Sequence, residues 1–251
     1  MKLLFVANWK MNPSSAREAV ALWSATKKYA RKIKKTSVVV CPPTPFCVSC
    51  SNKSDGFVFL GAQDVSVFSD GAHTGEVSTA MLKSVGVRYV IVGHSERRAG
   101  GETPTQVAHK TREVLAAGLT PIVCVGEHER GEHGEHLAVI EEQLRESLKG
   151  ISKAKIAKVI IAYEPVWAIG KASLYAMNPS DVHESTLFIR KILSRMYGRA
   201  TGMTVPILYG GSVEPHNIAR IVHEGTVQGV LVGRASLVAR NVADMLAALE
   251  L

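Results

Sequence analysis

Five short segments of this 251-residue chain carry side chains that could move a proton on a small anionic substrate. Glu164 offers a carboxylate that takes up a proton, His94 offers an imidazole that donates or accepts one, and Lys10 offers a positive charge. Glycine-rich turns at Gly210-Gly211-Ser212 and Gly233-Arg234 have backbone N–H groups that can hold an anion. Together these residue types predict acid-base catalysis.

Each of these residues also has an ordinary structural explanation. A glutamate after a strand is commonly a helix cap or an ion-pair member, a lone histidine is commonly hydrogen-bonded in the structure, and Gly-Gly-Ser is commonly a turn. Their position favours the catalytic interpretation, because all of them directly follow apolar runs. Five such junctions stand out, at residues 8–10, 93–98, 163–170, 210–212 and 233–234.

Eight apolar runs predict the strands that must hold these side chains. Each run is continuous and lacks polar alternation, which is typical of strands buried on both faces of a parallel sheet. The runs are Leu3–Ala7, Val38–Cys41, Phe57–Ala62, Tyr89–Gly93, Pro121–Val125, Val159–Tyr163, Ile207–Tyr209 and Gly229–Val232. Stretches with apolar residues at spacings of three and four predict helices between them. These are Ala16–Arg31, Ser78–Val85, Thr103–Ala117, Glu135–Lys149, Pro179–Tyr197, Asn217–Val222 and Val238–Leu249.

This alternation of strand and helix predicts an α/β fold, with residues 1–251 forming a single (β/α)8 barrel domain. The 251 residues divided over eight strands leave about 31 per unit, which suits a barrel of about 250 residues. A doubly wound sheet that binds a dinucleotide would need a G-x-G-x-x-G where this chain has Asn8-Trp9-Lys10. Catalytic groups of barrels lie at the carboxyl ends of the strands, which is where the five junctions are.

The charge of the chain makes a polyanion an alternative partner. It has 30 basic and 22 acidic residues, a net charge of +8. Six of the basic residues lie between Lys27 and Lys35, where Tyr29 is the one aromatic residue. Surfaces that bind single strands stack bases on several aromatic rings. We therefore favour a solvated helix end and expect no nucleic-acid partner.

The remaining composition predicts a cytoplasmic protein without metal or membrane. Four cysteines are too few for a secreted disulfide framework, although Cys47 and Cys50 form a C-x-x-C that could be a redox or zinc pair rather than two buried thiols. No apolar run approaches the ~20 residues that span a bilayer. His128, His133 and His136 do not match H-E-x-x-H, and their segment is typical of an exposed turn.

Four longer segments resemble, in order, the signature segments of triosephosphate isomerases. They are Ala7-Asn8-Trp9-Lys10-Met11-Asn12, Gly93-His94-Ser95-Glu96-Arg97-Arg98, Ala162-Tyr163-Glu164-Pro165-Val166-Trp167-Ala168-Ile169-Gly170 and Leu208-Tyr209-Gly210-Gly211-Ser212-Val213. Shorter matches are Gly61-Ala62-Gln63-Asp64, His73-Thr74-Gly75-Glu76 and Cys124-Val125-Gly126-Glu127. The resemblance covers nearly the whole chain. It implies a TIM barrel that interconverts dihydroxyacetone phosphate and D-glyceraldehyde 3-phosphate through an enediolate, without a cofactor.

The same resemblance implies a role for each catalytic candidate. Glu164 is the base that moves a proton between two carbons, while His94 polarises the carbonyl and shuttles protons between the oxygens. Lys10 supplies positive charge to the dianionic substrate, Asn8 helps to orient it, and Glu96 braces Lys10. The family also implies a neutral histidine whose pKa is lowered by the N-terminus of the following helix.

Phosphate binding is assigned by the resemblance to a lid from Pro165 to about Ser173, which contains Gly170, and to backbone donors at Ser212, Gly233 and Arg234. A closed lid excludes water and keeps the enediolate from losing its phosphate. A Schiff-base aldolase on the same scaffold is the alternative enzyme. It would place a lysine in a barrel strand, and none of the eight runs contains one.

Three segments depart from the family pattern. The lid ends in residues 171–177 instead of the usual Thr-Gly-Lys and is longer, so we expect altered opening kinetics. Arg234 stands where the family has a second glycine, and we expect its backbone to bind phosphate while its side chain points away. The segment after Arg98 is shorter and lacks an aromatic residue. A homodimer remains our expectation, because His73-Thr74-Gly75-Glu76 resembles the family's loop that inserts into the neighbouring subunit.

Overall fold

Eight parallel strands form a closed barrel in a computed structural model that describes residues 2–51, 56–131, 134–169 and 177–251. Each strand pairs with its neighbours in chain order, and the last strand closes the ring against the first. The strands are β1 (Leu3–Asn8), β2 (Thr36–Cys41), β3 (Val58–Ala62), β4 (Val87–Val92), β5 (Thr120–Val125), β6 (Ile160–Tyr163), β7 (Ile207–Tyr209) and β8 (Gly229–Val232). The predicted (β/α)8 barrel is confirmed.

Helices surround the barrel and include every stretch that the apolar spacing predicted. They are α1 (Ala16–Ala30), α2 (Cys47–Ser51), α3 (Thr79–Ser84), α4 (Ser95–Ala99), α5 (Pro104–Ala116), α6 (Glu135–Ser147), α7 (Lys153–Ile156), α8 (Pro179–Tyr197), α9 (Arg199–Gly202), α10 (Ile218–Glu224) and α11 (Ala239–Ala248). Helices α2, α7 and α9 were not predicted, because four or five residues are too few to show a helical period.

Side-chain caps set the start of several helices. The hydroxyl of Ser15 accepts the N–H of Glu18 before α1. Thr103 and Gln106 form a reciprocal capping box at the start of α5, where Pro104 is the first helical residue. These are local signals, and they explain why the helix starts can be predicted within a residue or two.

The alternation of side chains along each strand positions the polar junctions. Inner-core residues, which pack inside the ring rather than against the helices, include Val6, Ala162, Leu208 and Leu231. Because every second side chain of a strand shares a face, residues two positions further on also face the barrel axis. Those residues, which end the strands at the carboxyl edge, are Asn8, Glu164, Gly210 and Gly233. The alternation of side chains along each strand therefore directs these four positions toward the barrel axis at the carboxyl edge.

The structure also bears on the cysteine, metal and membrane alternatives. All four cysteines are buried and unpaired, and burial raises the pKa of Cys47 to about 11 and that of Cys50 to about 12, so both remain thiols at neutral pH. The described residues hold no group of three potential metal ligands, and His133 lies outside them. No helix within the described ranges has both the length and the apolar character that a membrane span requires.

Candidate active site

A cavity of about 250 Å³ opens at the carboxyl ends of the barrel strands. It brings together all five predicted junctions. Residues from these junctions that line it are Asn8, Lys10, His94, Glu164, Gly210, Ser212, Gly233 and Arg234. Gly170 and the predicted lid end, residues 171–176, lie outside the described residues. The volume is below that of pockets for drug-sized ligands, so the cavity suits a small molecule.

Lys10 is held over this cavity by a turn that follows β1. The side-chain oxygen of Asn8 accepts the N–H of Lys10 at 3.0 Å, and Lys10 adopts a left-handed φ of 51°. The amide of Gln63 donates to the carbonyl oxygens of Lys10 and Cys41, each at 2.9 Å. Glu96 Oε1 lies 2.6 Å from Lys10 Nζ. The ammonium is thus aimed by Glu96, which is the contact that the resemblance implies.

His94 sits at the junction between β4 and α4. Gly93 turns the chain with a φ of +68°, a conformation that favours glycine, and His94 then caps α4 with its own ring. Its Nδ1 accepts the N–H of Glu96 at 3.2 Å, and its Nε2 lies 3.1 Å from Glu164 Oε1. A backbone donor at Nδ1 needs a lone pair there, so this hydrogen bond forms with the neutral ring, whose proton is then on Nε2.

Glu164 follows β6 and is only 2% exposed. Its Oε2 accepts the N–H of Ser95 at 2.9 Å, while Oε1 faces His94. A Cβ at Gly210 would lie 2.9 Å from Cγ of Glu164, which is closer than side chains pack. Because Gly210 has no side chain, the side chain of Glu164 can occupy this space.

The charges of this pair shift both pKa values. Burial acts to raise the pKa of the Glu164 carboxyl, but His94, the Ser95 N–H and Lys10 together hold it below its ordinary value. Burial acts to lower the pKa of His94, but the Glu164 carboxylate outweighs burial and raises it. The expectation of a lowered histidine pKa is therefore wrong while the two side chains touch. The neutral ring exists above that raised pKa.

Three of the residues assigned to phosphate, Ser212, Gly233 and Arg234, follow β7 and β8. The hydroxyl of Ser212 donates to the carbonyl oxygen of Ala168 at 2.7 Å, which fastens the segment after Glu164 to the β7 loop. Gly233 leads into a short helical turn, Arg234–Leu237, that begins beside the cavity. Arg234 itself is exposed. This side of the cavity is thus built largely from backbone.

Sequence reasoning missed several residues that hold the site together. Gln63 supports Lys10, the Ser95 N–H binds Glu164, and burial together with the nearby Glu164 carboxylate raises the pKa of the Cys124 thiol. Glu127 accepts hydrogen bonds from the side chains that flank Glu164. Three of these residues stand within the shorter family matches, but a match alone does not indicate which atom each one contacts.

The aldolase alternative finds no support in the strands. None of the eight strands contains a lysine that could form a Schiff base. Lys10, the lysine of the cavity, instead lies in the loop after β1, where its charge is bound by Glu96. The arrangement fits electrostatic stabilisation and not covalent catalysis.

Comparisons with known proteins agree with this geometry. A family model described as Triosephosphate isomerase matches residues 3–249. A triosephosphate isomerase from Deinococcus radiodurans is 45% identical, with 100% of each chain covered. One from Herminiimonas arsenicoxydans is 44% identical over 97% of this chain and 96% of its own. One from Thermoanaerobacter pseudethanolicus is 41% identical over 96% of this chain and 97% of its own.

Proposed function

The chain belongs to the triosephosphate isomerase family, and from that membership we propose that Glu164, His94 and Lys10 interconvert dihydroxyacetone phosphate and D-glyceraldehyde 3-phosphate. The protein is an intramolecular aldose-ketose isomerase, and its reaction belongs to glycolysis and gluconeogenesis. One observation supports these residue roles above all others. Glu164 Oε1 and His94 Nε2 lie 3.1 Å apart at a cavity that they share with Lys10.

The three side chains can divide the chemistry between them. Glu164 takes a proton from C1 of dihydroxyacetone phosphate, and the C–H electron pair forms the C1–C2 double bond of an enediolate. The C2 oxygen gains negative charge, which Lys10 stabilises, and then takes the Nε2 proton of His94. The histidine recovers a proton from the C1 hydroxyl, and Glu164 returns its proton to C2. The product is glyceraldehyde 3-phosphate.

Glu164 must first leave its present contacts, because both carboxylate oxygens are engaged by Ser95 and His94. Its departure also lowers the pKa of His94. The carboxylate that raises the pKa of His94 moves away, while burial and the Lys10 charge remain, and both lower that pKa. Movement of the base toward substrate therefore favours the neutral ring that donates to the carbonyl oxygen.

Phosphate binding and the partners complete the proposal. The phosphate is bound by backbone groups at Gly170, Ser212, Gly233 and Arg234, and Asn8 orients the substrate. One catalytic domain spans residues 1–251 and works in the cytoplasm without cofactor, metal, nucleic acid or membrane. The closed ring of eight strands and the cavity at the strand ends support one domain within the described ranges.

A homodimer is part of the same proposal. The loop after β3 is closed by a hydrogen bond from Ser66 N–H to Val77 O of 2.9 Å, and it carries Phe68 stacked on His73 with ring centroids 3.6 Å apart. Phe68 is 46% exposed and Met11 is 93% exposed, so apolar side chains are available for a second copy. Light scattering across a dilution series tests this, and a monomer at every concentration would contradict it.

The residue roles are tested by turnover and by hydrogen exchange. We expect wild-type protein to convert glyceraldehyde 3-phosphate in a coupled assay and to incorporate deuterium from D₂O at the carbon that Glu164 protonates. Glu164→Gln removes the base and should lower kcat by about 100- to 10,000-fold. Glu141→Gln is the matched control, because Glu141 lies on α6 and pairs with Arg145. Full turnover in Glu164→Gln would disprove the assignment.

A further inference from the structure

A buried carboxylate, Glu127, fastens the chain on both sides of the base. Glu127 is 1% exposed. Its Oε1 accepts the indole N–H of Trp167 at 2.8 Å and the hydroxyl of Tyr163 at 2.9 Å. Its backbone carbonyl accepts the N–H of Val166 at 2.9 Å. Since these three residues flank Glu164 closely in sequence, the orientation of Glu127 sets the path of the chain around the base.

The segment that Glu127 fastens reaches the catalytic cavity. Val166–Ala168 forms one short helical turn, and Ile169 directly after it lines the cavity. Ser212 binds the carbonyl oxygen of Ala168, so this segment has one anchor at the β5 end and another at the β7 end. A shift of the Glu127 side chain would therefore move a wall of the cavity.

Arg130 is linked to this carboxylate through two hydroxyl groups. Its Nη2 donates to the hydroxyl of Ser185 at 3.5 Å, and that hydroxyl donates to the Tyr163 oxygen at 3.2 Å. Tyr163 in turn donates to Glu127, so a continuous series of hydrogen bonds joins the guanidinium to the carboxylate. Arg130 Nη1 also lies 3.4 Å from Asp181, in the first turn of α8.

The two charges also act on the same hydroxyl. Burial raises the pKa of Tyr163, Glu127 raises it further, and Arg130 lowers it. Within the described residues, Glu127 Oε2 and Arg130 Nε are buried without a hydrogen-bond partner. The guanidinium of Arg130 therefore reaches Glu127 through the hydroxyls of Ser185 and Tyr163.

We propose that Arg130 is a positioning residue for the isomerisation, holding Glu127 in the orientation that fixes Trp167 and the wall of the cavity. It touches neither the cavity nor the base, and it acts through Ser185, Tyr163 and Glu127. The proposal rests on the proposed function, because it gives Arg130 a role in positioning the segment that adjoins the catalytic base.

A double-mutant cycle between Arg130 and Trp167 tests this. Arg130→Gln should lower kcat/KM about tenfold, since one charge-assisted contact is lost, and Arg130→Lys should restore part of the loss. Trp167→Phe removes the indole donor, so in that background Arg130→Gln should have an effect of about twofold or less. Arg145→Gln is the control, because Arg145 is an exposed arginine that pairs within α6. Binding of glycerol 3-phosphate, measured by titration calorimetry in all four members of the cycle, gives a second readout.

The possible results distinguish failure of the positioning role from failure of the proposed function. Unchanged kcat/KM in Arg130→Gln, or an equal loss in the Trp167→Phe background, would overturn the positioning role. If Arg130→Gln does not fold, Ser185→Ala interrupts the same series and must show the same dependence on Trp167, or the proposal is wrong. A wild-type protein without turnover would refute the proposed function alone, because affinity for glycerol 3-phosphate still reports whether Arg130 acts through Trp167.

Discussion

Replacing Lys110 by methionine removes the cation of a buried charge cluster beside the active site. Lys110 Nζ lies 2.7 Å from Asp64 Oδ1 and contacts Glu102 Oε1, and the lysine and Glu102 side chains are 6% and 4% exposed. Asp64 directly follows Gln63, which supports Lys10, and Glu102 follows the helix that begins after His94. The lysine therefore joins the loops that carry two parts of the site.

The expected loss of stability follows from the carboxylates that remain. Removing one member of a buried ion pair costs about 3–5 kcal/mol, because the partner is left charged and unpaired. Arg97 Nη2 still binds Asp64 Oδ2 at 2.7 Å, so Glu102 bears most of the penalty. We therefore expect a loss near the lower end, about 3 kcal/mol, in the free energy of unfolding. That is a large share of the ~5–15 kcal/mol by which typical domains are stable.

Urea unfolding at fixed protein concentration measures this loss. Lys28→Met is the matched control, because Lys28 is exposed on α1. The triple variant Lys110→Met, Asp64→Asn, Glu102→Gln should regain most of the stability, since it leaves no buried unpaired charge and the Arg97 side chain, which loses Asp64, is 54% exposed. A loss below about 1 kcal/mol in Lys110→Met would refute the reasoning.

The pH dependence of the same variant gives an independent check. Burial already raises the pKa of Asp64 above its ordinary value despite Lys110, and loss of the ammonium removes an influence that lowers it. The folded variant then binds more protons than the unfolded chain as the pH falls, so its stability rises toward that of wild type. The deficit should therefore be smaller at pH 5 than at pH 7. A deficit that grows on acidification contradicts this account.

Three further predictions concern the cavity. Gly210→Ala places a methyl group 2.9 Å from Cγ of Glu164, so displacement of the base should lower kcat about 10- to 100-fold in steady-state assays; an unchanged kcat would count against it. Because the folded pKa of His94 is raised above 6.5, its stabilising contribution is complete below that pH and is lost as the pH rises through the folded pKa. Urea unfolding should show wild type losing its advantage over His94→Gln as the pH rises from 6.5 through the folded pKa, and a constant difference would be inconsistent with the raised pKa. Arg234→Ala should weaken binding of glycerol 3-phosphate by less than about threefold in titration calorimetry, whereas a large loss would make the side chain a ligand.

Much of the barrel could be predicted from the chain because its signals are local. Eight continuous apolar runs give strands buried on both faces, and spacings of three and four give most of the helices. The period of two along a strand also aims Asn8, Glu164 and Gly233 at the barrel axis without knowledge of any contact. Short helices such as α2 have no period to detect, and they were missed for that reason.

The catalytic candidates could be chosen by position and by family resemblance, but their partners could not. The Ser95 N–H binds Glu164 across 69 residues of sequence, and Lys10 binds Glu96 across 86. Sequence spacing gives no measure of such distances, because they depend on how loops from different strands meet when the ring closes. The same holds for Gln63 and Glu127.

The sequence by itself determined the barrel, the edge at which the candidate catalytic residues lie, and the residue types that reach it. Only the tertiary structure decided the pKa values of the side chains at that edge. The pKa of His94 is raised because a buried carboxylate from another strand lies 3.1 Å away, and that effect is stronger than burial of the ring. Such a balance arises between groups that are distant in sequence and close in space, so no local pattern can contain it.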